Sequence, residues 1–265
     1  MTQLSAVVRG IGLLGPGLDD WPAGAAVLTG VAPYVRRPAI LPAPVALPAA
    51  ERRRTGAVVR LALAVGFEAV ARAGANPAEL PTVFTSSGGD GFNCHEICQT
   101  LASADRQLSP TRFHNSVHNA ASGYWSIAAG ATPSSSVLCA FDASFSAGLL
   151  EALTQVVVER TPVLLVAYDV GYPEPLNAVR PIPDAFGVAM VLAPLDALAS
   201  EPRISAALTD APAESMPDSR LEALRGAIPA ARSLPMLSKL ARRESGRVVL
   251  DYLEQRMAVE VSAWR

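Results

Sequence analysis

The sequence predicts an α/β fold built around a sheet that is at least partly parallel. Strand-like apolar runs alternate with amphipathic helical segments along most of the chain. One run, residues 162–168, is uniformly apolar, which is typical of a central strand buried on both faces. It follows a strand at 136–140 and a helix at 146–158, and this β-turn-α-β order indicates parallel strands.

The first 80 residues predict one strand and two helices, separated by a Pro-rich connector. Residues 5–14 read as a strand that runs into a Gly/Pro turn, and residues 18–28 read as a short helix. The five prolines of residues 31–49 remove backbone donors, so an extended surface segment is expected, with a disordered linker as the alternative. Apolar residues then recur every three or four positions over 52–73, which predicts a helix that stops at Gly74.

The middle of the chain continues the alternation. A strand is expected over residues 81–87, where it ends in the small-residue turn Gly88-Gly89-Asp90-Gly91. Helices are expected over 90–101 and 120–129.

The C-terminal part predicts a change of pattern. Residues 185–193 and 203–208 are expected to form an antiparallel pair at the edge of a mixed sheet. The polar stretch 212–229 is the best candidate for a boundary or a deletion. A helix at 234–243 and strands at 248–253 and 257–262 follow. The expected division is therefore 1–210 as the main domain and 211–265 as a shortened remnant packed on the same body.

Composition excludes several classes of function. The 265 residues are 50% apolar and 17% charged, so the chain can bury one substantial core, or one large and one small core. With a net charge of -2, the chain lacks the excess positive charge that is typical of proteins that bind nucleic acid or an anionic membrane. Neither a signal peptide nor a run of about 20 apolar residues is recognised, so no membrane insertion is expected. Three cysteines are too few for a disulfide framework, which favours the cytoplasm.

Several motifs in order give the chain a resemblance to a known family. The segments are residues 7–17 with Trp21, Gly88-Gly89, 109–119, 136–158 and 180–193. Through them the chain resembles the β-ketoacyl-acyl-carrier-protein synthases over about residues 5–210. The resemblance implies a thiolase-like layered fold of the αβαβα type, with a complete N-terminal half and an abbreviated C-terminal half, in dimers whose active-site tunnels lie at the interface.

Two departures from the family pattern decide the functional expectation. The segment that resembles the nucleophile turn has no cysteine: alignment on its helix places Ser146 at the nucleophile position, and alignment on its strand places Ala143 there. Cys139 lies earlier, in the expected strand, where a buried structural cysteine is the more common reading. The family's two catalytic histidines come from the C-terminal half, but no histidine follows His118. The resemblance therefore implies a site without catalytic residues.

The expected function is that of a chain-length-factor-like subunit, similar to the truncated ketosynthase-like proteins of aryl-polyene and related polyketide pathways. In that role an active ketosynthase is the heterodimer partner, an acyl carrier protein delivers the chain, and this subunit closes the acyl tunnel. Ordinary core packing is an alternative for every candidate. The tunnel candidates lie on the helix after Gly88-Gly89 and the others near the expected interface; they are Phe92, His95, Ile97, Cys98, Phe113, His114, His118, Tyr124 and Trp125.

Other readings stay open. Cys94, Cys98, His114 and His118 approximate a zinc-finger spacing, but they stand within a larger α/β pattern, so neither a metal nor a cofactor is expected. Ser146 could serve a hydrolase only with one of the three histidines as base, and the segment lacks a Gly-x-Ser-x-Gly elbow. A weak stand-alone synthase or acyltransferase using Ser146 or Cys139, and a homodimeric module that binds acyl chains or carrier protein, are the remaining alternatives.

Overall fold

The computed structural model describes residues 4–195 and 201–262, and its strands form one mixed sheet. The strands are β1 (Leu4–Leu14), β2 (Thr82–Thr85), β3 (Ser135–Leu138), β4 (Val163–Asp169), β5 (Phe186–Ala193), β6 (Arg203–Thr209), β7 (Gly246–Tyr252) and β8 (Gln255–Ser262). Their order in the sheet is β3-β2-β4-β5-β1-β6-β8-β7.

Helices of very different length flank this sheet. Three short 3-10 turns, Pro77–Glu79, Phe141–Ala143 and Pro229–Ser233, accompany them. The helices are α1 (Trp21–Leu28), α2 (Ala49–Arg52), α3 (Ala57–Ala73), α4 (Gly91–Ala102), α5 (Pro110–Asn115), α6 (Ala120–Ala129), α7 (Ser144–Glu159), α8 (Leu176–Val179), α9 (Ser219–Ala227) and α10 (Leu234–Arg242).

Strand β4 is the central strand that the sequence predicted. All seven of its residues are buried. It pairs in parallel with β2 and antiparallel with β5, and β2 pairs in parallel with β3. The predicted β-turn-α-β unit is therefore confirmed: β3, α7 and β4 follow one another along the chain, and the two strands run parallel in the same sheet.

One pairing prediction is wrong. Strands β5 and β6 were expected to pair with each other at the edge of the sheet, but β1 lies between them and neither is an edge strand. The first residues of β1, 4–7, pair with β6, whereas 7–14 pair with β5. Because β1 is eleven residues long, it bridges both neighbours, and no local pattern in β5 or β6 reveals this.

Helix α7 lies at the centre of the molecule. Helices α3 and α6 pack on one face of the sheet, in the core that holds Trp125 and Phe84. On the other face, α7 contacts β2 and β4 and also β7, which is at the far end of the strand order. The sheet must therefore curve around α7. This confirms a layered α/β architecture.

The C-terminal segment completes the core around α7. Leu221 of α9, Leu237 of α10 and Leu250 of β7 belong to the same buried cluster as Leu149 of α7. The polar stretch that was expected to mark a boundary contains α9, whose first turn is capped by the Asp218 carboxylate. Residues 211–262 thus pack on the main body.

The Pro-rich connector is an extended surface strap with no helix or strand between residues 33 and 44. The Tyr34 hydroxyl donates to the carbonyl of Pro16 at 3.0 Å, and Leu47 is 1% exposed. Arg60 on α3 donates to the carbonyls of Leu41 and Pro42. These contacts bind the strap to the body, as expected for the extended segment rather than the disordered linker.

Among the described residues, one helical stretch has the length and apolar composition of a membrane span. It is Phe141–Glu159, and half of the apolar window is buried inside the protein. The core position of α7 accounts for its composition.

Candidate functional site

The turn between β3 and α7 is where the sequence resembles a nucleophile turn. Strand β3 ends at Leu138, and α7 begins at Ser144. The Ser144 hydroxyl donates to the carbonyl of Phe141 at 2.7 Å and accepts from the backbone N–H of Ala140 at 3.0 Å. These two bonds fix the backbone of the turn.

Phe141 stands at the tip of this turn in a strained conformation. Its φ of +51° lies in the left-handed region, which a bulky aromatic residue rarely adopts. Its side chain is 59% exposed. Strained positions of this kind cost about 1–3 kcal/mol and persist only where surrounding contacts hold them.

Two arginines hold the turn. The Arg180 guanidinium stacks on the Phe141 ring, 3.6 Å from its centroid. Its Nη2 also lies 2.7 Å from Oδ1 of Asp142, while Nη2 of Arg232 lies 3.0 Å from Oδ2 of the same carboxylate. Partial burial would lower the pKa of Arg180, but the bond to Asp142 raises it above the usual value.

The ion pairs continue into the C-terminal strands. Nη1 of Arg232 lies 3.0 Å from Asp251 on β7, and Nη1 of Arg225 lies 3.2 Å from the same carboxylate. A chain of charges therefore links the turn to α9 and β7. Asp142 and Asp251 each take two or more guanidinium groups, which is a network rather than a set of isolated surface pairs.

The Gly88-Gly89 turn lies against the same region. A Cβ on Gly88 would meet the Tyr172 hydroxyl, and one on Gly91 would meet the ring of Tyr172. The Cys139 thiol donates to the carbonyl of Ser87 at 3.2 Å. Glycine is thus required where Tyr172 packs, and the thiol is tied to the adjacent turn.

A buried carboxylate connects these elements to the C-terminal segment. Oδ1 of Asp169 accepts from the Ser87 N–H at 2.8 Å and from its hydroxyl at 2.6 Å, and Oδ2 accepts from the Ala230 N–H at 2.8 Å. Asp169 is 3% exposed. Burial raises its pKa to about 6, although the bonds from Ser87 and Ala230 act in the opposite direction.

The residues aligned with the nucleophile lie elsewhere. Ser146 is 2% exposed inside α7, and Ala143 is 7% exposed beneath the turn, so neither side chain presents itself at the tip. Cys139 follows the end of β3 and is exposed, not buried as expected, because β3 is an edge strand and the thiol faces the Ser87 carbonyl. Phe141 occupies the tip instead.

Helix α4, which carries the tunnel candidates, scarcely packs on the body. Only Gly91 and Asn93 of its twelve residues are buried. Polar contacts hold it to α5: Asn93 donates to the carbonyl of Arg112 at 2.7 Å, and Arg112 pairs with Glu96 at 2.9 Å. Phe92 and Cys98 are exposed, while His95 and Ile97 are half-buried.

Tyr124 and Trp125 are core residues, which corrects the expectation that they flank an interface. They are 2% and 1% exposed. The Trp125 ring lies 4.6 Å from that of Phe67 and covers Gly66 of α3, where a side chain would collide with it. The 3.6-residue period of α6 turns both inward, toward α3.

The face that α5 and α6 do expose is apolar. Phe113 is 65% exposed, Val117 51% and Ile127 48%. They line a groove of about 470 Å³, which His114 also borders. His114 is exposed and packs edge-on against Tyr124, whereas the Nε2 of His118, beside Gly89, is buried without a hydrogen-bond partner.

Within residues 4–195 and 201–262, no three His, Cys, Asp or Glu side chains are grouped so that they could hold a metal ion. The four residues with zinc-like spacing are therefore not brought together. Cys94 and Cys98 share one exposed face of α4, and burial raises the pKa of the Cys94 thiol.

The residues that sequence reasoning missed act at long range. Arg180 and Arg232 are 38 and 90 residues from Asp142. The segment 180–193 was singled out by its resemblance to the family, but nothing in it indicates that Arg180 stacks on Phe141.

Comparison with solved structures places the fold. A chain of the ketosynthase ApeO in complex with its chain length factor ApeC from Xenorhabdus doucetiae is 24% identical, with a TM-score of 0.74 and coverage of 97% of this chain and 99% of that one. A chain of the ishigamide ketosynthase/chain length factor is 13% identical, with a TM-score of 0.70 and coverage of 98% of this chain and 99% of that one. A chain of AntDE:AntF, a type II polyketide acyl-carrier protein in complex with its ketosynthase, is 10% identical, with a TM-score of 0.74 and coverage of 100% of both chains.

These similarities confirm the thiolase-like fold. Comparison with curated proteins gave no match. The family model for the N-terminal domain of β-ketoacyl synthases matches residues 32–249. This match covers most of the chain and ends within β7, beyond the end of the range of about 5–210 over which the motifs were recognised. The chain belongs to the β-ketoacyl synthase family.

Proposed function

We propose that this chain is a non-catalytic, chain-length-factor-like subunit that pairs with an active β-ketoacyl synthase in the cytoplasm and shapes the tunnel in which a carrier-bound acyl chain grows. One observation carries the proposal. The turn that resembles the family's nucleophile turn presents Phe141 at its tip, under the guanidinium of Arg180. An aromatic ring cannot carry an acyl group.

The other nucleophile candidates are poorly placed. The Cys139 thiol follows the end of β3, before the turn, and its hydrogen bond to the carbonyl of Ser87 at 3.2 Å directs it toward the Gly88-Gly89 turn. Ser146 is buried within α7. No histidine follows His118 in the sequence, and a lost oxyanion donor alone costs about 100-fold in rate.

The surface offers a place for the partner. We call the α4–α6 face the surface formed by Phe92, Leu101, Phe113, Val117 and Ile127, each of which is at least 47% exposed. Phe113, Val117 and Ile127 line one groove. Exposed apolar surface of this kind marks interaction sites in soluble proteins, and aromatic residues are enriched at interface cores. This face supports a heterodimer in which α4 is covered by the partner.

Helix α4 supports the assignment of the tunnel wall. Phe92, His95, Ile97 and Cys98 are not packed into this chain's own core. Side chains that protrude from one subunit can limit a cavity in the other, because packed protein does not give way cheaply to further methylene groups.

Co-purification with a ketosynthase from the same gene neighbourhood tests the proposal. A stable heterodimer is expected, and Phe113→Asp, which places a charge in the α4–α6 face, should reduce its yield at least tenfold. Leu208→Asp is the matched control, since Leu208 on β6 is 53% exposed and lies outside this face. Equal loss with both variants, or a homodimer indifferent to the partner, would contradict the proposal.

Intact-mass measurement of the reconstituted pair gives an independent control. After incubation with an acyl-carrier thioester, the acyl adduct is expected on the partner alone. An adduct on Cys139 or Ser146 of this chain would support the acyltransferase alternative instead.

A further inference from the structure

The turn after β3 is more elaborately held than a surface turn requires. Phe141 is one of four non-glycine residues with positive φ in the described chain, and the other three are at helix C-termini or a hairpin: Arg160, Arg243 and Leu253. At those places left-handed backbone is a common way to end a helix or reverse the chain. Phe141, by contrast, precedes a helix.

Contacts from two remote segments meet at this turn. Arg180, from the loop before β5, stacks on the ring of Phe141 at 3.6 Å. Asp142 binds Arg180 at 2.7 Å and Arg232, from the 3-10 turn Pro229–Ser233, at 3.0 Å. The side chains of both arginines are only about one-fifth exposed.

We infer that Phe141, Asp142, Arg180 and Arg232 form a brace that holds the turn in its strained conformation and makes it a rigid wall. This inference deepens the proposed function, on which its consequence for the acyl tunnel rests. Arg180 is the positioning residue: its guanidinium covers the ring, and its bond to Asp142 fixes the guanidinium. Arg232 carries the brace into the C-terminal segment, through Asp251 on β7.

The conformation of the turn depends on a balance between backbone strain at Phe141 and the side-chain contacts that oppose it. Left-handed backbone at a bulky residue is unfavourable, and the positive φ could be relieved if the turn relaxed. A cation over an aromatic face is attractive, the more so when it is partly desolvated. Two guanidinium groups on one carboxylate restrain the residue next to the ring. The shape of the turn therefore depends on side chains that are distant in sequence.

A double-mutant cycle between Phe141→Gly and Arg180→Gln tests the brace by thermal unfolding. Glycine removes both the ring and the backbone strain. With Arg180 present, the lost stack offsets part of the relieved strain, so Phe141→Gly should raise the midpoint less than it does in the Arg180→Gln background. With Arg180→Gln, little stack remains to lose, and Phe141→Gly should raise the midpoint.

Leu253→Gly provides the matched control. Leu253 has φ +45° in the β7–β8 turn and is 62% exposed. Its replacement by glycine should raise the midpoint equally in both backgrounds. If Phe141→Gly also shifts the midpoint by the same amount in both backgrounds, the brace is overturned, whichever direction the shift takes.

A second measurement addresses the tunnel. In the reconstituted pair, Arg180→Gln should broaden the distribution of product lengths while the heterodimer yield is unchanged, because a looser turn gives a less definite wall. An unchanged distribution in an intact pair overturns the role in the tunnel. Failure to form any heterodimer overturns the proposed function. The brace is then still tested by the double-mutant cycle of thermal unfolding, which does not need the partner.

Discussion

The turn after β3 and the α4–α6 face lie near each other around Gly88-Gly89, yet they are built in opposite ways. The turn is held by side chains from two distant segments, with Asp142 shared between two arginines. Helix α4 buries two residues and is held mainly by polar contacts to α5. The first region is complete within this chain, whereas the second leaves apolar surface for another molecule. Under the proposed function, this difference places the partner at α4 and not at the turn.

The largest expected effect concerns Asp169, which joins the Gly88-Gly89 side to the C-terminal segment. Its pKa is raised from 3.8 to about 6 in the folded protein. Between these values the folded state holds a proton that the unfolded state has lost, so the free energy of unfolding falls as pH rises from about 4 to 6. The difference of about 2 units corresponds to about 3 kcal/mol.

Asp169→Asn should abolish that fall, because the amide does not titrate. Chemical denaturation between pH 4 and 7 measures it. The amide keeps one acceptor oxygen, so it can serve Ser87 or Ala230 but not both. A variant whose pH dependence matches that of the parent chain would show that Asp169 does not titrate in this range.

The next effect concerns the turn itself. Asp142→Asn keeps the shape of the side chain but removes the charge that pairs with Arg180 and Arg232, and we expect a loss of about 1–2 kcal/mol in unfolding free energy, discounted for the 36% exposure of the Asp142 side chain. Asp19→Asn is the control, because its pair with Arg37 is more than half exposed. The control should cost at most a few tenths of a kcal/mol. Equal losses in the two variants would remove the contrast between the braced turn and an ordinary surface pair.

The smallest effect on stability is expected on α4, where the effect on product should be clearest. Phe92 is 57% exposed, so Phe92→Ala and Phe92→Trp should change the unfolding free energy by less than about 0.5 kcal/mol. In the reconstituted pair, the two variants should shift product length in opposite directions. Ile40→Ala on the strap, where Ile40 is 82% exposed, is the matched control and should leave products unchanged. Identical products across all three variants would count against a tunnel wall at Phe92.

Sequence reasoning recovered the local elements well. The apolar run of β4 and the span of α6 correspond to the structure, and the three-and-four spacing predicted α3, which begins at Ala57 rather than at Arg52. These are short-range patterns, which follow from the periods of strand and helix. The pairing of β5 with β6 was wrong because β1, almost two hundred residues earlier in the chain, inserts between them.

The candidate site was recovered less completely. The sequence located the unusual turn, and alignment of its short motif gave Ser146 or Ala143 as the residue at the nucleophile position. The structure adds that Phe141, with its positive φ, is the exposed residue at the tip of the turn. Tyr124 and Trp125 were expected at the interface, but aromatic residues occur both at interfaces and in protein cores. The packing of α6 on α3 places these two in the core.

The sequence by itself determined the family, the alternation of strands and helices, and the lack of a cysteine where the nucleophile turn is expected, since each of these depends on residue identity and near neighbours. The tertiary structure alone decided that β1 joins the two parts of the sheet, that Arg180 and Arg232 converge on Asp142, and that α4 is left with an unpacked face. These features depend on contacts between residues far apart in the chain, and such contacts form only when the whole core has folded around α7.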